Sequence, residues 1–412
     1  MLDAPYIDGH GPLLLTRPTS VGELREVVRR TTAAQEAIYP VGGATMLEWG
    51  LPPTKPGIVV DLRELKSVID YPARDMTITV QAGITIHELR EVLKREGQQL
   101  PVDIPLAERA TLGGAIATNA SGPRRFGYGT LRDYVIGISV MNDRGEEIKG
   151  GGRVVKNVAG YDLMKLYTGS FGTLGIITQV TLKVKPLAEA VVVLAFQCPT
   201  DAIAHVIDEV LPRTVTRPTI ISIANSEAGS RLTLNTTTST LLIGFEEKAE
   251  TVRWQVSQLN KELPEQVTKI ASEFQGELAT GAIHRWSDFP LAPPTTTTFK
   301  ANLLPSKTSE FFKLADSLSP KLALVAHAGN GILFGHLPRE STIEQAKEIL
   351  DRLRTIAVAS GGNLVVTRCP TAWKSVIPVW GQSTPDRVLM RAVKEKLDPR
   401  NVYNPGRFVD GI

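Results

Sequence analysis

Pro105-Leu106-Ala107-Glu108-Arg109-Ala110-Thr111-Leu112-Gly113-Gly114-Ala115-Ile116-Ala117-Thr118-Asn119-Ala120-Ser121-Gly122 is the stretch from which the fold of this chain is read. Beyond Arg109 it has no charge and few bulky side chains, so it offers a partner mainly backbone N–H groups and small hydroxyls. Gly113 and Gly114 let a flat or anionic group come close to the backbone, and Thr111, Thr118, Asn119 and Ser121 can hydrogen-bond it. Such a segment suits a cofactor; a tight helix-packing run of small residues is the alternative that the segment alone leaves open. Its surroundings favour the cofactor. Between Thr111 and Gly175 fall 14 of the 35 glycines, a clustering expected of a backbone-lined ligand site more than of ordinary turns.

Working upstream, Ser20-Val21-Gly22-Glu23 is a capping box with Leu24, Val27 and Val28 on one face behind it, which predicts a helix over 20–34. Ala37 to Pro40 reads as a short strand that delivers Val41-Gly42-Gly43-Ala44-Thr45-Met46. Adjacent glycines there expose consecutive N–H groups, the geometry of an anion-binding nest, with a plain Gly-Gly turn as the alternative. The chain has neither GxGxxG after its first strand nor GxxxxGK[ST], so a dinucleotide Rossmann site and a P-loop are both excluded. Residues 58–61, 68–71 and 77–83 are β-branched runs bounded by turns. Thr85-Ile86-His87-Glu88 is a second capping box, heading a helix that ends at Gly97, with His87 as a solvent-facing residue of its first turn.

Downstream, Val135 to Met141 is an apolar strand, Asp143-Arg144-Gly145 a hairpin turn and Gly150-Gly151-Gly152 a flexible joint. A helix over Leu163 to Tyr167, the run Gly169-Ser170-Phe171-Gly172-Thr173-Leu174-Gly175-Ile176-Ile177-Thr178 and a strand over Val180 to Val184 lead to Pro186. Beyond it the glycines thin out and strands alternate with helices, among them a long helix over Ile343 to Ala359. Residues 1–186 are thus expected as one domain and 187–378 as a second. The turn-rich segment 379–412 is expected to fold back over the ligand site of the first.

Composition bounds the function. With 412 residues the chain exceeds one hydrophobic core, and 42% apolar with 22% charged residues is ordinary for a globular protein. A net charge of +3 provides no basic face for nucleic acid. Cys198 and Cys369 are the only cysteines, too few for an iron–sulfur or thiolate zinc site, and reduced thiols in a cytoplasmic protein are the expectation. The start, Met1-Leu2-Asp3-Ala4-Pro5-Tyr6, lacks a signal-peptide pattern, and no apolar run reaches about 18 residues. Any membrane association is therefore expected through a partner.

The order of the Val-Gly-Gly-Ala-Thr loop, the Ala-Thr-Leu-Gly-Gly-Ala-Ile-Ala-Thr-Asn loop, the Gly-Thr-Leu-Gly-Ile-Ile-Thr strand and the Asn404-Pro405-Gly406-Arg407-Phe408 tail resembles the vanillyl-alcohol oxidase type of FAD-binding protein. It is also similar to that type's relatives among the 2-hydroxy-acid dehydrogenases. Ser121-Gly122-Pro123-Arg124-Arg125, Lys156-Asn157-Val158-Ala159-Gly160-Tyr161-Asp162, His327-Ala328-Gly329-Asn330-Gly331 and the tail from Asp398 to Phe408 resemble, more narrowly, the FAD-binding E subunits of bacterial glycolate oxidase (glycolate dehydrogenase). The resemblance implies an α+β chain with a two-subdomain FAD-binding domain and a smaller α+β cap domain. It implies FAD held by Val41, Gly42, Gly43, Ala44, Thr45 and Met46 at the pyrophosphate. Pro105, Ala110, Thr111, Gly113, Gly114, Thr118, Asn119, Ser121, Gly122 and Tyr128 would follow along the flavin side, and Gly175, Ile176 and Ile177 would place strand backbone against the cofactor. Arg407 would approach the N1 and O2 side of the flavin, where reduction builds negative charge, or serve as a surface cation on the tail. Some relatives bind flavin covalently through a His where this chain has Ala44; neither His nor Cys occurs in 40–46 or 100–122, so FAD is expected to be non-covalent.

Departures from the resemblance bear on mechanism. Metal-dependent members carry His-x-Gly-Asp-Gly-Asn-Leu-His and a later Glu-His pair; here His327 matches the first His, Asn330 replaces the Asp, and Phe334 stands for the second His. Residues 361–368 carry neither the Glu nor the His. No metal site is expected, since one His holds a divalent ion poorly. Two functions follow from the resemblance. One is an FAD-binding subunit of a glycolate (2-hydroxy-acid) dehydrogenase complex, in electron transfer or assembly beside a catalytic flavoprotein paralogue and an iron–sulfur subunit. The other is a free-standing dehydrogenase with His327 as base and Arg368 or Lys300 clamping the substrate carboxylate. A scaffold that has lost its flavin is a third, non-enzymatic reading.

Overall fold

Of the two expected capping boxes the one at Thr85 closes fully, whereas at Ser20 only the N-cap half forms, because the Glu23 carboxylate accepts from the N–H (2.7 Å) and hydroxyl (3.0 Å) of Thr19 instead. Ser20 accepts from the Glu23 N–H at 3.1 Å and starts the helix Val21–Ala33, while Thr85 and Glu88 cap each other's backbone at the head of Ile86–Arg95. The structure, a computed structural model, describes residues 6–11, 13–152, 161–232, 237–292 and 296–412. Residues 156–160 of the subunit-type motif and residues 1–5 of the N-terminal reading lie outside the described residues. The chain divides into two compact units, one made of residues up to Ala120 with Thr130–Leu187 and Gln382–Ile412, the other of Ser121–Gly129 and Ala188–Gly381.

In the first unit, β1 (Leu14–Thr16), β2 (Ala37–Val41) and β3 (Gly57–Asp61) form a parallel sheet in the order β1-β3-β2. Leu24 and Val28 of the first helix pack on its Ile38, Ile58 and Val60. The next strands are β4 (Val68–Asp70), β5 (Thr77–Gln81), the short β6 (Gln98–Gln99), β7 (Val135–Met141), β8 (Glu147–Gly151), β9 (Ile176–Lys183) and β10 (Lys185–Pro186). Five of them make a sheet in the order β4-β5-β9-β7-β8, and β6 pairs with β10. Leu89 and Leu93 of the second helix join Leu112 and Ile116 over Ile78, Val80, Ile138 and Val180 of this sheet, so the apolar face of each element is spent on one core.

Two expectations change here. Gly150 and Gly151 are strand rather than flexible joint: they pair with Ile138 and Gly137 in the β7–β8 hairpin. A Cβ on Gly150 would lie 2.8 Å from the Leu163 Cβ, so the glycine serves close packing. The turn-rich tail is preceded by a regular helix, Arg387–Leu397, whose inward Lys394 donates to Asp398 (2.6 Å) and to the carbonyls of Thr173 (2.8 Å) and Tyr403 (2.9 Å). Such full pairing offsets the cost of burying the lysine.

The second unit contains β11 (Ala190–Cys198), β12 (Ile220–Ala224), β13 (Ser239–Glu247), β14 (Thr268–Gln275), β15 (Thr298–Asn302), β16 (Ala323–His327), β17 (Ile332–His336) and β18 (Asn363–Arg368). They form one antiparallel sheet in the order β14-β11-β13-β12-β16-β17-β15-β18. Alternation along the strands sends Phe299, Ala301, Leu324 and Leu333 into a core with the helices Thr308–Asp316 and Ile343–Ala359. Val325, Ile332 and Phe334 belong to the opposite core, shared with Ile283, Trp286 and Phe289. Residues 203–210 are helical, wound as a π-helix over His205–Val210.

Candidate functional site

The opening stretch is both things it was weighed as. Thr111 accepts from the Gly114 N–H and caps a two-turn helix, Leu112–Thr118, closed by Asn119 in the left-handed region at φ 49°. That same helix lines an open cleft in the first unit, about 1050 Å³ with the solvent at its mouth included. Residues 41–46 line it, as do Ala110, Thr111, Gly113, Gly114 and Thr118 from the second loop. Gly175, Ile176 and Ile177 from the start of β9, and Asn404 and Arg407 from the tail, complete the set read from the sequence, with Asn404 added by the structure. Pro105 is buried beside this wall and Asn119 closes its helix; neither lines the cleft. Ser121, Gly122 and Tyr128 fall in the second unit, where Ser121 accepts from Arg125 (3.4 Å) and the Tyr128 hydroxyl donates to Glu246 (3.3 Å).

Backbone packing explains why glycines occur where they do. A Cβ on Gly42 would lie 2.0 Å from Thr111 Oγ1, and one on Gly43 would lie 1.8 Å from the Arg109 carbonyl oxygen. These two glycines therefore let the first loop close on the second, and Gly113 does the same against Ala82, at 2.9 Å. The N–H groups of residues 42–46 then have no acceptor among the described residues. A run of half-buried N–H groups without acceptors costs stability unless an anion or water completes it. The pyrophosphate of FAD is such an anion, and the apolar wall of Ala82, Ile104, Ala115 and Ile177 suits a ring system, so the residues present fit this cofactor. Among the described residues that line the cleft there is no His, Cys or Tyr.

Arg407 is buried and its guanidinium is committed to the protein. It donates to the carbonyls of Leu47 (2.6 Å), Trp49 (2.9 Å) and Leu51 (3.1 Å) and lies 3.6 Å from the Asp8 carboxylate. Trp49 and Phe171, missed in the sequence, line the cleft and meet edge to face at 5.1 Å. Phe171 sits between two of the clustered glycines, and that placement is the one signal that pointed to it.

The residues considered for catalysis lie on adjacent strands of the second unit's sheet, β16, β17, β15 and β18, with His327 and Arg368 at opposite ends of the strand register. His327 is buried at the end of β16, with Nδ1 2.9 Å from the hydroxyl of Ser222 on β12. Ser222, between Ile221 and Ile223, gave no signal in the sequence. The Phe334 ring stands edge-on to His327 at 5.8 Å, where a second ligand would have to be. His336 is stacked on Phe289 at 4.3 Å, and its Nδ1 accepts from Arg231 at 2.7 Å. Burial first, then Arg231 and Arg368, push it down to about 3, so it is neutral and its acceptor nitrogen is spent. Among the described residues no three of His, Cys, Asp or Glu come together to hold a metal ion. Lys300, on β15 opposite Phe334, has no carboxylate partner among the described residues. Burial, with Arg125 as a second cation, pushes its ammonium down to about 8. Arg368 ends β18 opposite Thr298, two residues along β15 from Lys300. Both polar atoms of the Asn330 carboxamide are buried without a hydrogen-bond partner.

His87 is exposed and paired with Glu108 at 3.1 Å, a surface interaction. Among the described residues no helix is long and apolar enough to cross a membrane.

Comparison with known proteins agrees with this geometry. Residues 12–151 match the model of an FAD binding domain. The chain is 28% identical to a D-lactate dehydrogenase of Archaeoglobus fulgidus over 411 residues, covering 96% of this chain and 91% of that one. It is 27% identical to the glycolate oxidase subunit GlcD of Bacillus subtilis, covering 96% and 89%. With the glycolate oxidase subunit GlcE of Escherichia coli it shares 34% over 168 residues, 40% of this chain and 47% of that one. A solved structure of alkyldihydroxyacetonephosphate synthase superposes with a TM-score of 0.69 at 21% identity, covering 96% of this chain and 77% of that one. The chain is an FAD-dependent oxidoreductase, built on a non-covalent FAD-binding domain of the vanillyl-alcohol oxidase type with mixed helix and sheet.

Proposed function

We propose that this oxidoreductase is the FAD-binding subunit of a glycolate (2-hydroxy-acid) dehydrogenase complex, in electron transfer or assembly beside a catalytic flavoprotein paralogue and an iron–sulfur subunit. The observation that carries the reading is the state of the His327 neighbourhood. A metal-assisted deprotonation needs several ligands and a base; here Phe334 faces His327, and the Nδ1 of His336 is occupied by Arg231. The matches to both glycolate oxidase subunits support the same reading. So do the two cysteines, buried and too few for a cluster, since any iron–sulfur acceptor of the flavin's electrons would belong to another chain. FAD, when bound, supplies the two-electron acceptor. The protein's own part is to cradle the cofactor with residues 42–46.

A second reading, a free-standing 2-hydroxy-acid dehydrogenase, is favoured by Lys300 and by the Ser222–His327 pair. An ammonium without a carboxylate partner suits a substrate carboxylate, and an imidazole fixed by a hydroxyl suits a proton acceptor at the substrate hydroxyl. Anaerobic mixing of the isolated, flavin-loaded chain with glycolate and D-lactate separates the two. No bleaching of the flavin absorption alone, with bleaching once the paralogue is co-purified, is the outcome the first reading expects. Rapid bleaching of the isolated chain would replace it by the second.

A further inference from the structure

We infer that Arg407 is a positioning residue for the FAD cradle, holding residues 47–51 by their carbonyls so that the N–H groups of residues 42–46 stay turned to the cofactor. This rests on the reading of the cleft as the FAD site and concerns how it is kept in shape. The loop from 42 to 54 contains no regular secondary structure, so the ladder of a strand or helix cannot fix it. Arg407 supplies what the ladder does not. Its two terminal nitrogens reach three alternate carbonyls, of Leu47, Trp49 and Leu51, and its own carbonyl accepts from the Leu51 N–H at 3.0 Å. A planar fork with fixed donor directions can satisfy three carbonyls at once; an ammonium is a point charge and orients them less.

The neighbours of Arg407 on the tail reinforce the same loop. The Pro405 carbonyl accepts from the Thr54 N–H at 3.2 Å, and Phe408 stacks on Phe171 at 5.2 Å, the ring that Trp49 meets edge-on. Asn404 donates to the Phe171 carbonyl at 2.7 Å. With its donors committed to these carbonyls and to the Asp8 carboxylate at 3.6 Å, the guanidinium acts on the cofactor through the loop. Deleting it frees three carbonyl dipoles at the root of the cradle and lets the run of N–H groups disperse.

The test uses the full chain, stripped of flavin, as wild type, as Arg407→Lys, and as Arg407→Ala with Asp8→Asn so that no buried charge is stranded. Hydrogen exchange read by mass spectrometry is expected to rise in residues 42–54 of the double variant, with the strands of both units protected as in wild type. FAD affinity, read by quenching of flavin fluorescence, is expected to fall by about tenfold or more. Arg407→Lys is expected to fall between the two. Added ethylguanidinium is expected to restore both protection and affinity in the double variant. Unchanged exchange over 42–54, or an affinity within about twofold of wild type, overturns the inference. So does a loss of protection throughout the first unit that ethylguanidinium leaves unrepaired, since that describes a merely structural arginine. If wild type itself takes up no FAD, the reading of the cleft fails, while the exchange data from flavin-free protein still decide what Arg407 does to the loop.

Discussion

Replacing Gly43 by alanine puts a methyl group into the contact that builds the cradle. The added Cβ would lie 1.8 Å from the Arg109 carbonyl oxygen, 2.5 Å from its carbon and 3.0 Å from the Ala110 nitrogen, all backbone atoms that cannot swing away. Ordinary van der Waals contact begins at 3.4 Å, so the two loops must part by roughly 1.5 Å. A displacement of that size stretches an N–H to phosphate bond from about 2.9 Å past the about 3.5 Å at which it ceases to count. Two such charge-assisted bonds, at about 1.5–3 kcal/mol each, amount to about 3–6 kcal/mol, or roughly a hundredfold to ten-thousandfold in Kd. The assay is titration of flavin-free protein with FAD, followed by flavin fluorescence. Gly22→Ala is the control: its Cβ meets only Ser20 Oγ at 3.7 Å inside a helix, so FAD binding should be untouched and stability should rise by about 0.5–1 kcal/mol. A folded Gly43→Ala protein that binds FAD within about threefold of wild type would refute the cradle, because the clash then displaces no group that holds the cofactor.

Lys300 carries its positive charge below about pH 8 and loses it above, so affinity for a 2-hydroxy-acid carboxylate should fall as pH rises through 8. The Lys300→Met protein should bind weakly at every pH; a wild-type profile flat from pH 7 to about 9.5 would remove Lys300 from the site. Stability moves the other way. Between about 8 and the free lysine value of 10.5 the folded chain holds fewer protons than the unfolded one, so unfolding free energy should rise across that window in wild type and not in the methionine variant. Lys394→Met strands the buried Asp398 carboxylate and should cost about 3–5 kcal/mol in urea denaturation; a loss below about 1 kcal/mol would mean that water reaches the pair. Ser222→Ala frees the His327 ring from its 2.9 Å partner, and if His327 takes the hydroxyl proton, flavin reduction should slow and its pH profile shift while FAD affinity stays constant. An unchanged profile would make the pair a packing feature only.

How much of this was legible depends on distance along the chain. The N-caps at Ser20 and Thr85 bond the N–H three positions on, and the long helix Ile343–Ala359 was read with the bounds it has, because helical hydrogen bonds and apolar spacing repeat within one turn. The glycine clustering pointed to a ligand site for the same local reason: what a glycine permits is a property of its own backbone. Gly150 was misread because its need is not its own; the Leu163 side chain, from another element, demands the missing Cβ. Ser222 and His327 are 105 residues apart, and only the antiparallel register of β12 with β16 brings them together. Arg407 reads in sequence as a flavin-side cation or a surface cation on the tail, and only the closed fold shows its fork spent on carbonyls more than 350 residues earlier. Amino-acid identity determined which groups are offered: N–H runs, hydroxyls, an imidazole and a guanidinium. Tertiary structure decided which of them are already satisfied by protein, and a group so satisfied has nothing left for a ligand.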